Sequence, residues 1–404
     1  MIRSVADISP HAASKSEAGK RLLYLVSEDW YFLSHRLPMA RAARDAGYDV
    51  HVATRVVDGG TAIRAEGFTL HPLNWRRGST NPIDFMNAIA EVRNAYRTIA
   101  PDLVHQVAIW PSIVGSLAAA GVATHRLSAL AGMGFAFTSN TIKARTVRLL
   151  LGPLLRHLLG GSRAAVLVQN PDDYAAMKAL GIPRERVFLI RGSGVDTERL
   201  RVLPELAAPI TMAYVGRLLE DKGLRTLIAA HAMLASRGEN IRLLVAGEID
   251  PANPTSIPTS EIDAWRRQPS IELLGQVADI ATVWANAHIA VLPSRREGLP
   301  KSLLEAAAFG RPIVATDVPG CREIARKGIN ALLVPVDDAR ALADAVQELA
   351  HNPVMRAKFA AAGRMLVERE FASRHVGIET VKLYGELLRR LGSPNLDRRV
   401  EYHR

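Results

Sequence analysis

The chain has 404 residues, 48% hydrophobic and 23% charged, which is too long for one typical core, fits two domains of roughly 150–200 residues and gives no compositional sign of disorder. A net charge of +11 favours anionic partners such as nucleotide diphosphates or lipid headgroups, whereas 5% aromatic content with no aromatic-interleaved basic run disfavours nucleic acid. The single cysteine, Cys321, excludes an intramolecular disulfide, supplies no zinc cluster and fits a reducing, cytosolic compartment, and no apolar run reaches the roughly 18–20 residues of a spanning helix.

Residues 1–20 have no apolar core and read as a flexible leader rather than a secretory signal. Beyond them, strand and helix patterns alternate, which argues for an α/β chain with parallel sheets. The candidate strands of the first half are Leu22–Ser27, Asp49–Thr54, Thr69–Leu73, Leu103–Val107, Arg126–Ala131, Ala165–Gln169 and Val187–Arg191. Helical patterns between them include Ser34–Ala46 and Pro82–Ile99. The stretch from Ser27 to His35, with Trp30 and Tyr31, reads as a loop at the first strand's carboxyl end. His105 lies near the end of Leu103–Val107 and is either a site residue or a satisfied core histidine. The segment Thr141–Gly161 mixes leucines with Lys143, Arg145, Arg148 and Arg156. It suits an anionic membrane surface or a core helix, and Gly152-Pro153 breaks its amphipathic stripe.

A break runs from Gly194 to Pro204 and on to Pro209, and the alternation restarts at Ile210–Val215 and continues through Leu332–Val334. From Asp337 to Leu391 the pattern is helical. The expected layout is a leader over 1–20, an N-terminal domain over 21–198, a C-terminal domain over 199–370, a closing helix over 371–392 and a basic tail over 393–404.

One stretch carries most of the chemical information: Glu297-Gly-Leu-Pro-Lys-Ser-Leu-Leu-Glu305, followed by an Ala-rich helix, Gly310 as its stop and the strand Ile313–Thr316. Gly298 and Pro300 fit a loop turning into a helix. Loop N–H groups and a helix N-terminus then converge on one spot, which suits an anion. Glu297 and Glu305 flank it as acceptors for hydroxyls, an arrangement that fits a diphosphate carrying a sugar at each end. The competing reading makes them solvated helix and loop carboxylates. No Asp-x-Asp pair follows a strand, Glu248-Ile-Asp250 being nearest, and no strand leads into G-x-G-x-x-G, which disfavours a dinucleotide-binding oxidoreductase.

This spacing resembles the E-x7-E motif of the retaining glycosyltransferases of family 4, which have the GT-B fold. Further stretches match in order: Tyr214-Val-Gly216-Arg217 with Lys222-Gly223, then Leu243–Gly247, then Ala290–Ser294 leading into Glu297. The likeness spans roughly residues 20 to 390. It implies two Rossmann-like domains facing across a cleft, with the C-terminal helix returning to the first domain. It implies donor binding by Gly216, Arg217, Lys222, Gly247, Glu297, Gly298, Leu299, Pro300 and Glu305. Glu305 would take the ribose and Glu297 the transferred sugar. Arg217 and Lys222 would neutralise the departing diphosphate, so Glu297, Arg217 and Lys222 form the expected catalytic set with no metal or other cofactor.

The first domain departs from the family pattern. Its first loop has bulky aromatics in place of a Gly-Gly turn, as in a bacterial subgroup that builds surface polysaccharides and glycans on polyprenyl diphosphate carriers. Trp30, Tyr31, His35, His105 and Gly132 are the expected acceptor contacts, the aromatics being alternatively a plug. The stretch Ser128–Phe135 has no histidine, so a catalytic histidine is in doubt and Gly132 and Gly134 offer backbone donors. The expected activity is retaining transfer of a hexose or N-acetylhexosamine from a nucleotide-diphosphate sugar, UDP-linked, to a lipid-linked or saccharide acceptor. The place is the cytoplasmic face of the plasma membrane, with its anionic surface and a polyprenyl-diphosphate acceptor as partners. The alternatives are a UDP-sugar epimerase of the same fold and a non-catalytic nucleotide-binding protein.

Overall fold

The computed structural model describes residues 19–75, 79, 81–130, 152–251, 253 and 255–392. Residues 1–18 of the expected leader, Gly132 and Gly134, residues 141–151 and the tail 393–404 lie outside them. The chain divides into two compact units. One runs up to Ser193 and resumes at Ser373, and the other is Gly194–Ala372.

The first unit holds seven parallel strands: β1 (Arg21–Glu28), β2 (Asp49–Arg55), β3 (Thr69–Pro72), β4 (Leu103–Val107), β5 (His125–Leu130), β6 (Ala164–Val168) and β7 (Val187–Leu189). Their order is β3-β2-β1-β4-β5-β6-β7. β4 and β6 are buried at every position, as expected of strands covered by helices on both faces. The order reverses between β1 and β4, so loops after these two strands diverge and leave a place for a ligand.

The expected loop from Ser27 to His35 is a helix instead. β1 runs straight into α1 (Asp29–His35), and after a break at Arg36 the chain enters α2 (Leu37–Asp45). The expected single helix Ser34–Ala46 is therefore two. What holds α1 is mostly a tertiary contact: the buried Asp29 carboxylate accepts N–H bonds from Trp30, Val57 and Gly59, each at 2.7 Å. It takes up the first-turn N–H of Trp30 and ties the new helix to the segment after β2.

The helix Ser373–Gly392 packs against α2. A Cβ on its Gly377 would stand 2.8 Å from the Ala42 methyl, which shows how closely the two helices approach. Below this contact lies a fully buried polar chain. The Tyr24 and Tyr384 hydroxyls are 2.8 Å apart, and the Tyr384 hydroxyl lies 2.6 Å from Nδ1 of His105. Burial pushes the His105 pKa well down, with Arg36 adding to it, so the imidazole is neutral.

The second unit repeats the plan with β8 (Thr211–Val215), β9 (Arg242–Ala246), β10 (Ile271–Gly275), β11 (Ile289–Leu292), β12 (Ile313–Thr316) and β13 (Ala331–Val334). All pairings are parallel, in the order β10-β9-β8-β11-β12-β13, and the order reverses between β8 and β11. The segment leading into β8 is held to this unit by three arginines. Arg364 donates to the carbonyls of Thr197 and Leu200 and, at 2.8 Å, to that of Ala308. Arg311 donates to those of Leu203, Pro204 and Trp284. Arg356 pairs with Glu205 at 2.6 Å.

Tyr384→Phe leaves the buried Nδ1 of His105 without its partner, at a cost of about 1–3 kcal/mol. A lower urea midpoint at unchanged m-value is expected for the transition of the first unit, and an unchanged midpoint contradicts the role.

Candidate active site

The residues singled out in the second half of the sequence come together within the second unit, at the carboxyl ends of β8 and β11 where the strand order reverses. Gly216 and Arg217 follow β8, and Lys222 ends the turn Glu220–Lys222. The loop 293–300 follows β11 and delivers Glu297. Lys222 Nζ donates to Glu297 Oε1 at 2.6 Å. Ser294 Oγ donates to the same oxygen at 2.7 Å. Arg296 pairs with Asp221, and the Arg295 N–H donates to the Asp221 carbonyl at 2.8 Å. The two loops are thus joined by side chains and backbone.

Close approach of the backbone makes this possible. Gly223, at φ +71°, lies against the Pro293 carbonyl so closely that a Cβ would overlap it. Gly320, at the start of the helix Pro319–Ile324, sits under the carbonyls of Glu297 and Gly298, where a Cβ would stand 2.5 Å from each oxygen. Any other residue at either place pushes the loops apart.

The helix Lys301–Ala308 begins at Pro300, whose ring occupies the cap position, and Leu299 packs on the core of the unit. The N–H groups of its first turn have no intrahelical acceptor, which is the local geometry that the sequence reading expected at this turn. Glu305 sits one turn in, half-buried, 3.2 Å from Lys301. Burial raises its pKa despite Lys301. Burial, and secondarily the Glu297 charge, also raises the Tyr214 and Cys321 pKa values well above normal, so Cys321 is a neutral thiol. Gly247 follows β9 and donates to the Gly275 carbonyl at 2.8 Å, while Gly216 donates to that of Ala246 at 2.9 Å.

Arg217 keeps a half-open side chain and pairs with Asp250 at 2.8 Å. Its carbonyl accepts from the Tyr214 hydroxyl at 2.8 Å. Each of the two expected cations is therefore already matched to a carboxylate, a pairing that the sequence reading did not include.

The acceptor set of the first unit is only partly brought together. Trp30, Tyr31 and His35 lie on α1, not in a loop. The Tyr31 and His35 rings stack at 4.2 Å, and Trp30 meets Tyr31 edge-on and stays exposed. His105 belongs to the core: it is fully buried, stacked on Tyr24 and bonded to Tyr384, so an acceptor does not reach it. Gly132 lies outside the described residues. One feature that no sequence signal announced is Ala108, after β4, with φ +76°. Such a strained non-glycine residue costs roughly 1–3 kcal/mol and is typical of functional loops.

Sequence reasoning also missed Ser294, Gly320 and Asp250 as neighbours of the expected residues. The Pro-Ser pair before Arg295 was the available signal for Ser294. Among the described residues no group of three or more His, Cys, Asp or Glu is arranged to hold a metal ion, and no helix is long and apolar enough to cross a membrane.

Residues 209–352 match the family described as "Glycosyl transferases group 1", and residues 21–169 match "Glycosyl transferase 4-like". The putative glycosyltransferase EpsD of Bacillus subtilis is 27% identical over 88% of this chain and 94% of its own length. The N,N'-diacetylbacillosaminyl-diphospho-undecaprenol alpha-1,3-N-acetylgalactosaminyltransferase of Campylobacter jejuni is 24% identical over 81% of this chain and 91% of its own. Among solved structures, Anabaena Alr3699/HepE in complex with UDP and glucose superposes with a TM-score of 0.71 at 16% identity, over 90% of this chain and 98% of that one. With two Rossmann-like parallel sheets and both halves matched, the chain belongs to the family-4-type glycosyltransferases of GT-B fold, and it is an enzyme that transfers sugar.

Proposed function

We propose that this enzyme moves a hexose or N-acetylhexosamine, with retention, from a UDP-linked sugar to a lipid-linked or saccharide acceptor in the synthesis of a cell-surface polysaccharide or glycan. The observation that carries the reading is the Lys222–Glu297 contact of 2.6 Å beside the N-terminus of the Lys301 helix, with Glu305 one turn further on. Anion donors, a cation and two hydroxyl acceptors meet there. The names of the relatives support the finer terms: one acts on an undecaprenol-diphosphate-linked sugar, and one solved neighbour holds UDP and glucose.

In this reading the helix N-terminus and Gly298 take the diphosphate, and Glu305 accepts the ribose hydroxyls. Gly216 and Gly247 let the nucleotide lie against the strand ends, and Leu299 and Pro300 shape the turn. Glu297 accepts a hydroxyl of the transferred sugar. The bond from the anomeric carbon to the diphosphate oxygen breaks, and the acceptor oxygen bonds to that carbon on the same face. The acceptor proton passes to the departing diphosphate, whose charge Arg217 and Lys222 stabilise. Arg217 and Lys222 supply the positive charge, so the reaction needs no metal ion. Trp30, Tyr31 and His35 are the proposed acceptor contacts, the exposed Trp30 ring being suited to packing on a sugar.

The enzyme is proposed to work attached to the inner face of the plasma membrane. The net charge of +11 supports this. So do the basic residues of Thr141–Gly161, although residues 152–160 of its described part, 152–161, form a helix whose Leu155 and Leu159 are in the core.

Three measurements test these points. Glu305→Ala and Lys222→Ala each lower kcat/KM for UDP release by about 10²-fold or more, the scale of one lost charge-stabilising group. Wild-type rates in both folded variants contradict the site. Activity persists in excess EDTA, and full loss restored by Mg²⁺ or Mn²⁺ contradicts the charge assignment. The protein sediments with anionic but not neutral vesicles at low salt and is released as salt rises, because attachment of about 1 kcal/mol per well-placed cation is screened. Binding that survives Arg145→Gln with Arg148→Gln removes that segment from the contact.

A further inference from the structure

The Glu297 carboxylate is held in a way that distinguishes its two oxygens. Oε1 accepts from Lys222 Nζ at 2.6 Å and from Ser294 Oγ at 2.7 Å. One carboxylate oxygen offers about two lone-pair sites, so Oε1 is full. Among the described residues, none donates to Oε2. Ser294 itself is fully buried. Its carbonyl accepts from the Thr316 hydroxyl of the neighbouring strand, so its backbone is fixed as well as its side chain. Below, Gly320 supports the carbonyls of Glu297 and Gly298. A glutamate has several rotatable bonds, and a lysine contact alone leaves it free to swing with a flexible partner. The hydroxyl from a buried, immobile residue removes that freedom.

We propose that Ser294 is a positioning residue of this enzyme: it locks the Glu297 carboxylate so that Oε2 alone is presented to a hydroxyl of the transferred sugar. The assignment rests on the reading of Glu297 as the sugar contact. It makes Ser294 act on the sugar end of the donor and not on the nucleotide.

The test uses the full chain with UDP-glucose, UDP-galactose, UDP-N-acetylglucosamine and UDP-N-acetylgalactosamine, and follows the one the wild type turns over fastest. Ser294→Ala is expected to keep the wild-type melting temperature and to bind UDP by calorimetry within about twofold of wild type. Its kcat with the UDP-sugar should fall about tenfold, the scale of one hydrogen bond. In a Glu297→Ala background, Ser294→Ala should cost nothing further, because its target is gone. If Ser294→Ala melts early, Ser294→Cys fills the same volume with a weaker donor and should show a smaller loss of the same kind. Wild-type kcat in Ser294→Ala, equal losses in both backgrounds, or a matching loss of UDP affinity overturns the proposal. Full activity of Glu297→Ala, or no turnover of any of the four donors by the wild type, overturns the underlying site reading instead.

Discussion

The second unit depends on two loops being allowed to touch. The loop after β8 and the loop after β11 leave the sheet at the point where strand order reverses, and in most such folds they would diverge. Here Gly223 lies flat on the Pro293 carbonyl, and this contact sets everything around it. It brings Lys222 within reach of Glu297, and Asp221 within reach of Arg295 and Arg296. From the other side Gly320 supports the same loop. A side chain at either position would separate charges whose value lies in their distance.

Those charges are not spare. Lys222 is matched to Glu297, Arg217 to Asp250, Arg296 to Asp221, Arg295 to Asp337 and Lys301 to Glu305. Half-buried ions without partners carry a desolvation cost, and pairing offsets it. Any anion arriving among them would exchange partners instead of meeting bare cations. The first-turn N–H groups of the Lys301–Ala308 helix, which have no intrahelical acceptor, are the neutral part of the same neighbourhood. The raised pKa of Glu305 fits the same picture, since burial at that position is only partly offset by Lys301.

The alternation of elements was legible because parallel strands buried on both faces read as short apolar runs. Leu103–Val107 was placed to the residue, and Pro82–Ile99 likewise. The Glu297–Glu305 spacing was legible because its turn, helix start and stop signals are all local. What stayed hidden was set by distance along the chain. α1 was taken for a loop because β1 leads into it with no turn residues, and the Asp29 carboxylate that anchors its first turn reaches Val57 and Gly59, far along the sequence. His105 was left open between two roles because a strand position gives a face but not what covers it, and its cover, Tyr384, comes from the last helix. Asp250 was noticed only as part of a failed metal motif, while its use is to hold Arg217.

The arginine clamps on residues 197–205 bear on where the second unit can be said to begin. The family match starts at residue 209, just before β8. Cutting there would remove the carbonyls that Arg311 and Arg364 hold, and the carboxylate of Glu205 from Arg356. Arg311 and Arg356 are both buried, so the N–H groups that bond Leu203, Pro204 and Glu205 would lose their acceptors, leaving only the Trp284, Leu349 and Ala350 carbonyls to these two guanidinium groups. Val195, whose N–H donates to the Phe371 carbonyl at 2.9 Å, closes the same layer. The second unit is therefore longer at its start than the stretch that the family model covers. A segment that reads as a connector in sequence is, in mechanical terms, the outer wall of the unit it precedes.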